Sequence, residues 1–152
     1  MRFELLSPAN VDLYIRYLKK ALSEEPDMML ASQIDETAIK KRLCDSFFQS
    51  KKSILAIEND EVVGRIEYHF YGCLQDGYRM AYVDWVYVLP ENRHQGVAQQ
   101  LFREFEKDCQ NNSIDQYYLF RATNANADKF YYSFENSTIA DEPVLRKNIS
   151  EK

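Results

Sequence analysis

A strand that ends at a proline and leads into a helix through a glycine constrains this chain more than any other stretch. Val86–Pro90 is mostly apolar and rich in valine, and Glu91–Gln95 is polar. Gly96 then precedes a long amphipathic segment. The first N–H groups of a helix have no acceptor within the helix, so a turn of this kind presents unpaired donors. The sequence therefore predicts an anion site at this turn.

Length and composition predict a single folded domain, residues 1–152, with no nucleic-acid partner and no membrane partner. Of the 152 residues, 45% are hydrophobic and 14% aromatic, which is enough for a substantial core. The net charge of −5 disfavours a nucleic-acid or anionic membrane surface, since both require a basic field. No run approaches the roughly 20 apolar residues of a membrane span, and Met1–Leu6 is not followed by a signal-peptide core. We therefore expect a soluble, cytoplasmic protein.

The cysteines and histidines give no indication of a metal centre. Cys44, Cys73 and Cys109 lack the spacing of metal ligands, so reduced thiols and no metal are expected. His69 is expected to be a half-buried strand residue, and His94 to lie in the polar turn without acting as a base.

Hydrophobic periodicity predicts strands and helices that alternate along the chain. Strands are expected over residues 2–6, 53–58, 62–71, 80–88, 116–121 and 144–149, and helices over 9–23, 35–49, 96–110 and 126–132. In the second helix Asp35 lies near the start, and Ile39, Leu43 and Phe47 share one stripe. The order β-α-α-β-β-β-α-β-α-β predicts an α/β (α+β) fold: one mixed, mostly antiparallel twisted sheet with helices on both faces.

The polar turn resembles a known cofactor loop. Val-x-Val-x-Pro followed by Arg-x-x-Gly-x-Ala is similar to the acyl-CoA pyrophosphate loop of the GNAT superfamily of N-acetyltransferases, and the resemblance extends over about residues 53–134. It implies that Val86 and Val88 flank the pantetheine arm and that Arg93 makes a charge-assisted phosphate contact. It also implies main-chain donors to the pyrophosphate from His94, Gln95, Gly96, Val97 and Ala98. The alternative is that Gly96 only shapes the turn between strand and helix.

A second motif lies downstream. Asn124-Ala125-Asn126-Ala127-Asp128-Lys129-Phe130-Tyr131 is similar to the family pattern Asn-x-x-Ala-x-x-(aromatic or Leu)-Tyr. The resemblance implies that Asn124 binds pantetheine or the loop around it, and that Tyr131 protonates the leaving thiolate of CoA. The alternative is that Tyr131 packs in the interior, and Tyr132 is its nearest competitor. The family usually continues to Gly-Phe, but Glu135 and Asn136 stand here, so the conformation of residues 135–152 is open; Asn136 could adopt the left-handed turn.

The base that deprotonates an amine is expected among carboxylates. Asp84 interrupts an otherwise apolar run, and a buried charge is costly without a partner, so Asp84 is the first candidate. A structural aspartate is the alternative. Glu67 is the next candidate, a water chain remains open, and Trp85 either lines the pocket or fills the core.

The resemblance thus implies an N-acetyltransferase that uses acetyl-CoA as co-substrate and a primary amine as acceptor, by direct attack in a ternary complex. The alternatives are a non-catalytic acyl-CoA-binding or regulatory domain of the same fold, and an interaction module that binds no phosphate. The acceptor, a small-molecule or peptide amine, stays unidentified. A homodimer is possible, as in many members.

Overall fold

The computed structural model describes residues 1–29 and 31–150, in two compact units: Met1–Phe120, the N-terminal unit, and Arg121–Lys152, the C-terminal unit. The single domain predicted over residues 1–152 remains a prediction, and residues 30, 151 and 152 lie outside the described part.

The elements of the N-terminal unit follow the predicted order. They are β1 (Arg2–Leu5), α1 (Val11–Glu24), α2 (Glu36–Arg42), β2 (Lys51–Glu58), β3 (Glu61–Gly72), β4 (Arg79–Val88), α3 (Val97–Asn111) and β5 (Gln116–Tyr118). Short 3-10 turns occupy Pro26–Met28, Ser46–Phe48 and Pro90–Asn92. The C-terminal unit contains α4 (Ala125–Tyr131). In the described part of the chain, no helix is long and apolar enough to cross a membrane.

The strands form one five-stranded sheet in the order β1-β2-β3-β4-β5. The first three neighbouring pairs are antiparallel, whereas β4 and β5 are parallel. The predicted mixed, mostly antiparallel sheet is therefore confirmed.

Helices cover both faces of this sheet, as predicted. Arg65 and Tyr68 are three residues apart on β3, so their side chains point to opposite faces. Arg65 lies under the ring of Tyr14 from α1, at 5.4 Å. Tyr68 packs edge-to-face against Phe105 of α3, with ring centroids 4.7 Å apart. Each fully buried large side chain of this kind contributes about 2–3 kcal/mol to folding.

The amphipathic segment predicted after Gly96 forms α3, and the apolar stripe of this helix faces the core. Val97, Leu101, Phe105 and Cys109 are all buried. Burial also raises the pKa of the Cys109 thiol to about 12, so it stays protonated as a core residue.

The second helix is shorter than predicted. It begins after Asp35, whose side chain accepts from the N–H of Ala38 at 2.9 Å, but it ends at Arg42. Asp45 accepts from the N–H of Phe47 at 2.9 Å, and this local side-chain bond competes with continuation of the helix. Phe47 is therefore 82% exposed and does not extend the stripe.

The final strand predicted over residues 144–149 is wrong, since those residues form no strand. Val144, Leu145 and Ile149 are exposed, the last two at 89%. β-branched composition favours a strand only where one face is buried against a partner, and that condition is not met here. Strand β5 also ends at Tyr118, three residues before the predicted limit of Arg121.

Candidate active site

The turn between β4 and α3 leaves a run of main-chain donors without protein acceptors. The N–H of Arg93 bonds to the carbonyl of Pro90 at 3.2 Å, and the first helical bond runs from Gln100 N–H to the Gly96 carbonyl at 3.0 Å. Among the described residues, no protein group accepts from the N–H groups between these two, residues 94–99, and α3 has no side-chain cap. The positive end of the α3 dipole adds to the same point. We call residues 94–99 the anion turn, because their main-chain N–H groups can hold an anion without a charged side chain.

Gly96 is required by the backbone conformation of this turn. Its φ is +79°, in the left-handed region that L side chains rarely adopt. A Cβ at this position would meet only Gln100 Nε2 at 3.8 Å and Gln99 Oε1 at 4.0 Å, so the requirement is not one of space. His94 is also left-handed, with φ +61°. The turn conformation alone accounts for the glycine, and the unpaired N–H groups are what give the turn a binding capacity.

Arg93 contacts the carboxylate of Glu25, a partner that the sequence analysis did not predict. Its Nε donates to the Val88 carbonyl at 3.0 Å, its Nη1 donates to Glu25 Oε1 at 3.1 Å, and its Nη2 pairs with Glu25 Oε2. The Tyr87 hydroxyl donates to the same Glu25 Oε2 at 2.7 Å. Arg93 first, and then Tyr87, lower the pKa of Glu25. The phosphate contact of Arg93 stays a prediction, and it requires the guanidinium to share or exchange Glu25.

The edge of β4 that faces β5 is longer than β5 itself. Strand β5 pairs only with Met80–Tyr82, and no described strand pairs with the same edge over Val83–Val88. Leu89 N–H bonds to the Val63 carbonyl of β3 at 2.9 Å. Because main-chain polar groups alternate in direction along a strand, those of Val86 and Val88 point away from β3, where the Val88 carbonyl already accepts from Arg93 Nε. We call this stretch, residues 83–88, the open edge of β4. It can pair with an extended ligand.

Asp84 occupies a β-bulge. Glu67 pairs with Trp85 and Tyr68 pairs with Val83, so Asp84 is an extra residue on β4. The bulge places both Asp84 and Trp85 on the face of the sheet that α1 covers. Trp85 packs against the core on that face, which favours its reading as core filler.

Asp84 forms a cluster with Lys51 of β2 and His69 of β3. Lys51 Nζ donates to Asp84 Oδ1 at 2.5 Å, and His69 Nδ1 lies 2.8 Å from Asp84 Oδ2. Their side chains are 36%, 26% and 20% exposed for Lys51, His69 and Asp84. His69 is half-buried as predicted, but its bond to Asp84 was not foreseen. The sheet register, which pairs Lys51 with His69, is what brings the three together.

Glu67, the second predicted base, has structural partners. Its Oε2 accepts from Ser53 Oγ at 3.1 Å and from Arg65 Nη1 at 2.8 Å. Arg65 is buried, and its Nε has no partner among the described groups. A buried guanidinium requires a nearby carboxylate, so the contact of Glu67 with Arg65 stabilises the fold. No group of three or more potential metal-ligating side chains occurs within the described residues.

The C-terminal unit positions the second predicted motif. Asn124 precedes α4, and its Oδ1 accepts from the N–H of Ala127 at 3.0 Å. Tyr131 is the last residue of α4 and packs edge-to-face with Phe130, with ring centroids 5.0 Å apart. Burial raises the pKa of Tyr131, so its hydroxyl keeps the proton at neutral pH. Asn136 has φ +55°, so the left-handed conformation predicted for it is confirmed.

The sequence matches the model of the acetyltransferase (GNAT) family over residues 14–134. The chain belongs to the GNAT family. No curated protein matches this GNAT sequence significantly.

Solved structures share its fold at low identity. A probable acetyltransferase superposes with a TM-score of 0.78 at 19% identity, covering 100% of both chains. A ribosomal-protein-alanine N-acetyltransferase from Brucella melitensis biovar Abortus 2308 superposes with a TM-score of 0.72 at 17% sequence identity, covering 97% of this chain and 100% of that one. An aminoglycoside acetyltransferase from an uncultured soil metagenomic sample superposes with a TM-score of 0.74 at 16% sequence identity, covering 99% of this chain and 96% of that one. At these identities the likeness shows the fold.

Proposed function

We propose that this GNAT protein is an acetyl-CoA-dependent N-acetyltransferase that acts on a primary amine. The observation that carries the proposal is the run of unpaired main-chain N–H groups over residues 94–99, beside the open edge of β4. These donors suit a pyrophosphate, which carries negative charge and many acceptor oxygens. The open edge suits the amide groups of pantetheine, which can pair with it as a strand would.

Catalysis in this proposal is a direct attack. The amine and the thioester are held together, so the protein needs no nucleophile of its own. Tyr131 supplies the proton to the leaving thiolate, which its protonated state supports. Asn124 orients the pantetheine or the loop around it, through the amide nitrogen that its capping bond leaves over.

The acceptor is a small-molecule or peptide amine. Among the structural neighbours, one is an aminoglycoside acetyltransferase and another acetylates the alanine of a ribosomal protein, so both kinds of amine are compatible with this fold. We further propose a single cytoplasmic domain over residues 1–152, with no nucleic-acid or membrane partner, that works as a monomer or a homodimer.

A second candidate is a non-catalytic acyl-CoA-binding or regulatory domain. The observation in its favour is that Asp84 and Glu67, the two predicted bases, are both held by cationic side chains. Each of the two carboxylates therefore has an oxygen that already accepts a hydrogen bond from a cation and is less accessible to an incoming amine.

Two measurements separate these candidates. Calorimetry with acetyl-CoA tests binding, and release of free CoA thiol is followed with kanamycin, spermidine, free lysine and a peptide that begins with alanine. Mass spectrometry then verifies the acetylated amine, and thiol release without amine serves as the control. Binding with amine-dependent turnover supports the enzyme. Binding without turnover on every amine favours the regulatory domain, and absence of binding refutes both.

A further inference from the structure

We infer that His69, held by Asp84, is the base that takes the proton from the acceptor ammonium group. This inference rests on the proposed function and deepens it, because it assigns the proton acceptor to a histidine rather than to a carboxylate. Asp84 is then a positioning residue, and Lys51 fixes Asp84 in turn.

The contacts determine which ring nitrogen of His69 is available. Nδ1 lies 2.8 Å from Asp84 Oδ2 and 3.1 Å from Lys51 Nζ. A lone pair on Nδ1 would face the carboxylate oxygen at the shorter distance, which is repulsive, so Nδ1 carries the proton and donates it to Asp84. Neutral imidazole then has its lone pair on Nε2. Nε2 is therefore the ring nitrogen left to accept a proton from an ammonium group.

Asp84 is a poor base in the same arrangement. Its Oδ1 accepts from Lys51 at 2.5 Å and its Oδ2 accepts from His69, so both oxygens are engaged. Asp84 can orient the ring and stabilise the imidazolium that forms, which is the role of a carboxylate behind a histidine base.

The other titratable groups placed against the His69 ring are tyrosines of β3 and β4. Tyr82 of β4 lies with its ring 5.6 Å from the imidazole, and Tyr71 of β3 lies at 6.0 Å. A hydrogen bond with Tyr118, followed by burial, raises the pKa of Tyr71 to about 12. Lys51 from β2 and Asp84 from β4 face the same ring.

The position of the cluster along β4 suits this role. Tyr82 is the last residue that pairs with β5, and the open edge begins at Val83. Asp84 is four residues before Val88, a separation of about 13 Å along a strand. A pantetheine arm that runs from the anion turn back along the open edge would approach the cluster at its far end.

The step balances as follows. His69 Nε2 takes one proton from the ammonium group, and the neutral amine forms a bond to the thioester carbonyl carbon. The carbon–sulfur bond breaks, the sulfur takes the electron pair, and the thiolate receives a proton from the Tyr131 hydroxyl. The nitrogen of the new amide gives up its remaining extra proton, which restores Tyr131, and the imidazolium returns its proton to solvent.

The test compares His69→Gln and Asp84→Asn with a matched control, Glu61→Gln, at an exposed position of β3, the strand that carries His69. Each is assayed with acetyl-CoA and the best amine of the panel over pH 5.5 to 9, and calorimetry with acetyl-CoA verifies the fold. We expect His69→Gln to lower kcat about 100-fold and to remove the acid limb of the pH profile, with acetyl-CoA affinity unchanged. Asp84→Asn should lower kcat about tenfold and keep that limb, and the control should match wild type.

A second readout is independent of turnover. The chain has only two histidines, so nitrogen-15 NMR resolves the His69 ring, with His69→Gln giving the assignment. We expect Nδ1–H in the wild type and a mixture of tautomers in Asp84→Asn. Near-normal kcat in His69→Gln, a larger loss in Asp84→Asn than in His69→Gln, or an Nε2–H wild type would each overturn the inference. A wild type that turns over no amine would instead refute the proposed function, and the base role with it.

Discussion

Replacing Gly96 by alanine separates the conformation of the anion turn from its affinity for CoA. Gly77, in the turn between β3 and β4, provides a matched control because its φ of +74° is almost the same as the +79° of Gly96. A Cβ at Gly77 would meet nothing within 4 Å, and one at Gly96 would make only ordinary contacts. Both alanine variants therefore suffer the same backbone strain and no clash.

The expected stability loss follows from that strain. The left-handed conformation costs an L residue about 1–2 kcal/mol. The smaller conformational entropy of unfolded alanine returns about 0.4–1 kcal/mol. Each variant should lose about 1 kcal/mol of unfolding free energy, or a melting temperature shift of about 3 °C for a chain of this size.

The effect on affinity should differ. A shift of the turn, or a methyl group over its donors, weakens at least one charge-assisted N–H bond to phosphate, which contributes about 1.5–3 kcal/mol. Gly96→Ala should then raise the Kd for acetyl-CoA about 10- to 100-fold. Gly77→Ala should leave it unchanged, and S-acetylpantetheine, which has no pyrophosphate, should bind Gly96→Ala and wild type equally.

The assays are urea unfolding and calorimetry on the three proteins. Equal stability losses with an unchanged Kd for acetyl-CoA in Gly96→Ala would refute the anion turn. No stability loss in Gly96→Ala would refute the conformational argument itself.

Three further variants test other parts of the molecule. Glu25→Gln should lower the free energy of unfolding by about 1 kcal/mol at pH 7. The pKa of Glu25 is lowered in the fold, so its contribution to stability is present above its unfolded pKa and is lost as the pH falls through its folded pKa. Urea titrations should therefore show the stabilities of wild type and variant converging at acid pH. Tyr131→Phe should lower kcat with little change in the KM for acetyl-CoA, and wild-type kcat would remove its acid role. Gly64→Ala brings a Cβ within 3.1 Å of Val88 Cγ2 and 3.3 Å of Val97 Cγ1, so it should destabilise the protein by about 1–3 kcal/mol in thermal melts and weaken acetyl-CoA binding, because both neighbours border the anion turn.

Local patterns predicted the elements that the core buries, on one face as in α3 or on both faces as in β2. The stripe from Val97 to Cys109 and the apolar run of β2 needed no long-range information. Prediction failed where a local side-chain bond or a missing partner decided the outcome. Asp45 ended the second helix early, and Val144–Ile149 had strand-forming residues but no buried face.

The candidate site was predicted only in its sequence-local part. The residues of the turn are consecutive, so their pattern is visible in the sequence. The pair of Arg93 with Glu25 joins residues 68 positions apart, and the pair of Lys51 with Asp84 joins residues 33 apart. Such contacts depend on strand register and on the bulge, which hydrophobic periodicity does not report.

The bulge at Asp84 also determines which changes of length this strand tolerates. Tyr82 contacts His69, and Tyr87 packs against Tyr17 of α1, so both lie on the same face although they are five positions apart in the sequence. In a regular strand an odd separation would put them on opposite faces. Deleting Asp84 would join Val83 directly to Trp85 and keep the pairs Tyr68–Val83 and Glu67–Trp85, so Tyr82 would stay on the face of His69. The strand can therefore lose a residue here without changing the face of any other side chain, and what deletion removes is the contact of Asp84 with Lys51 and His69.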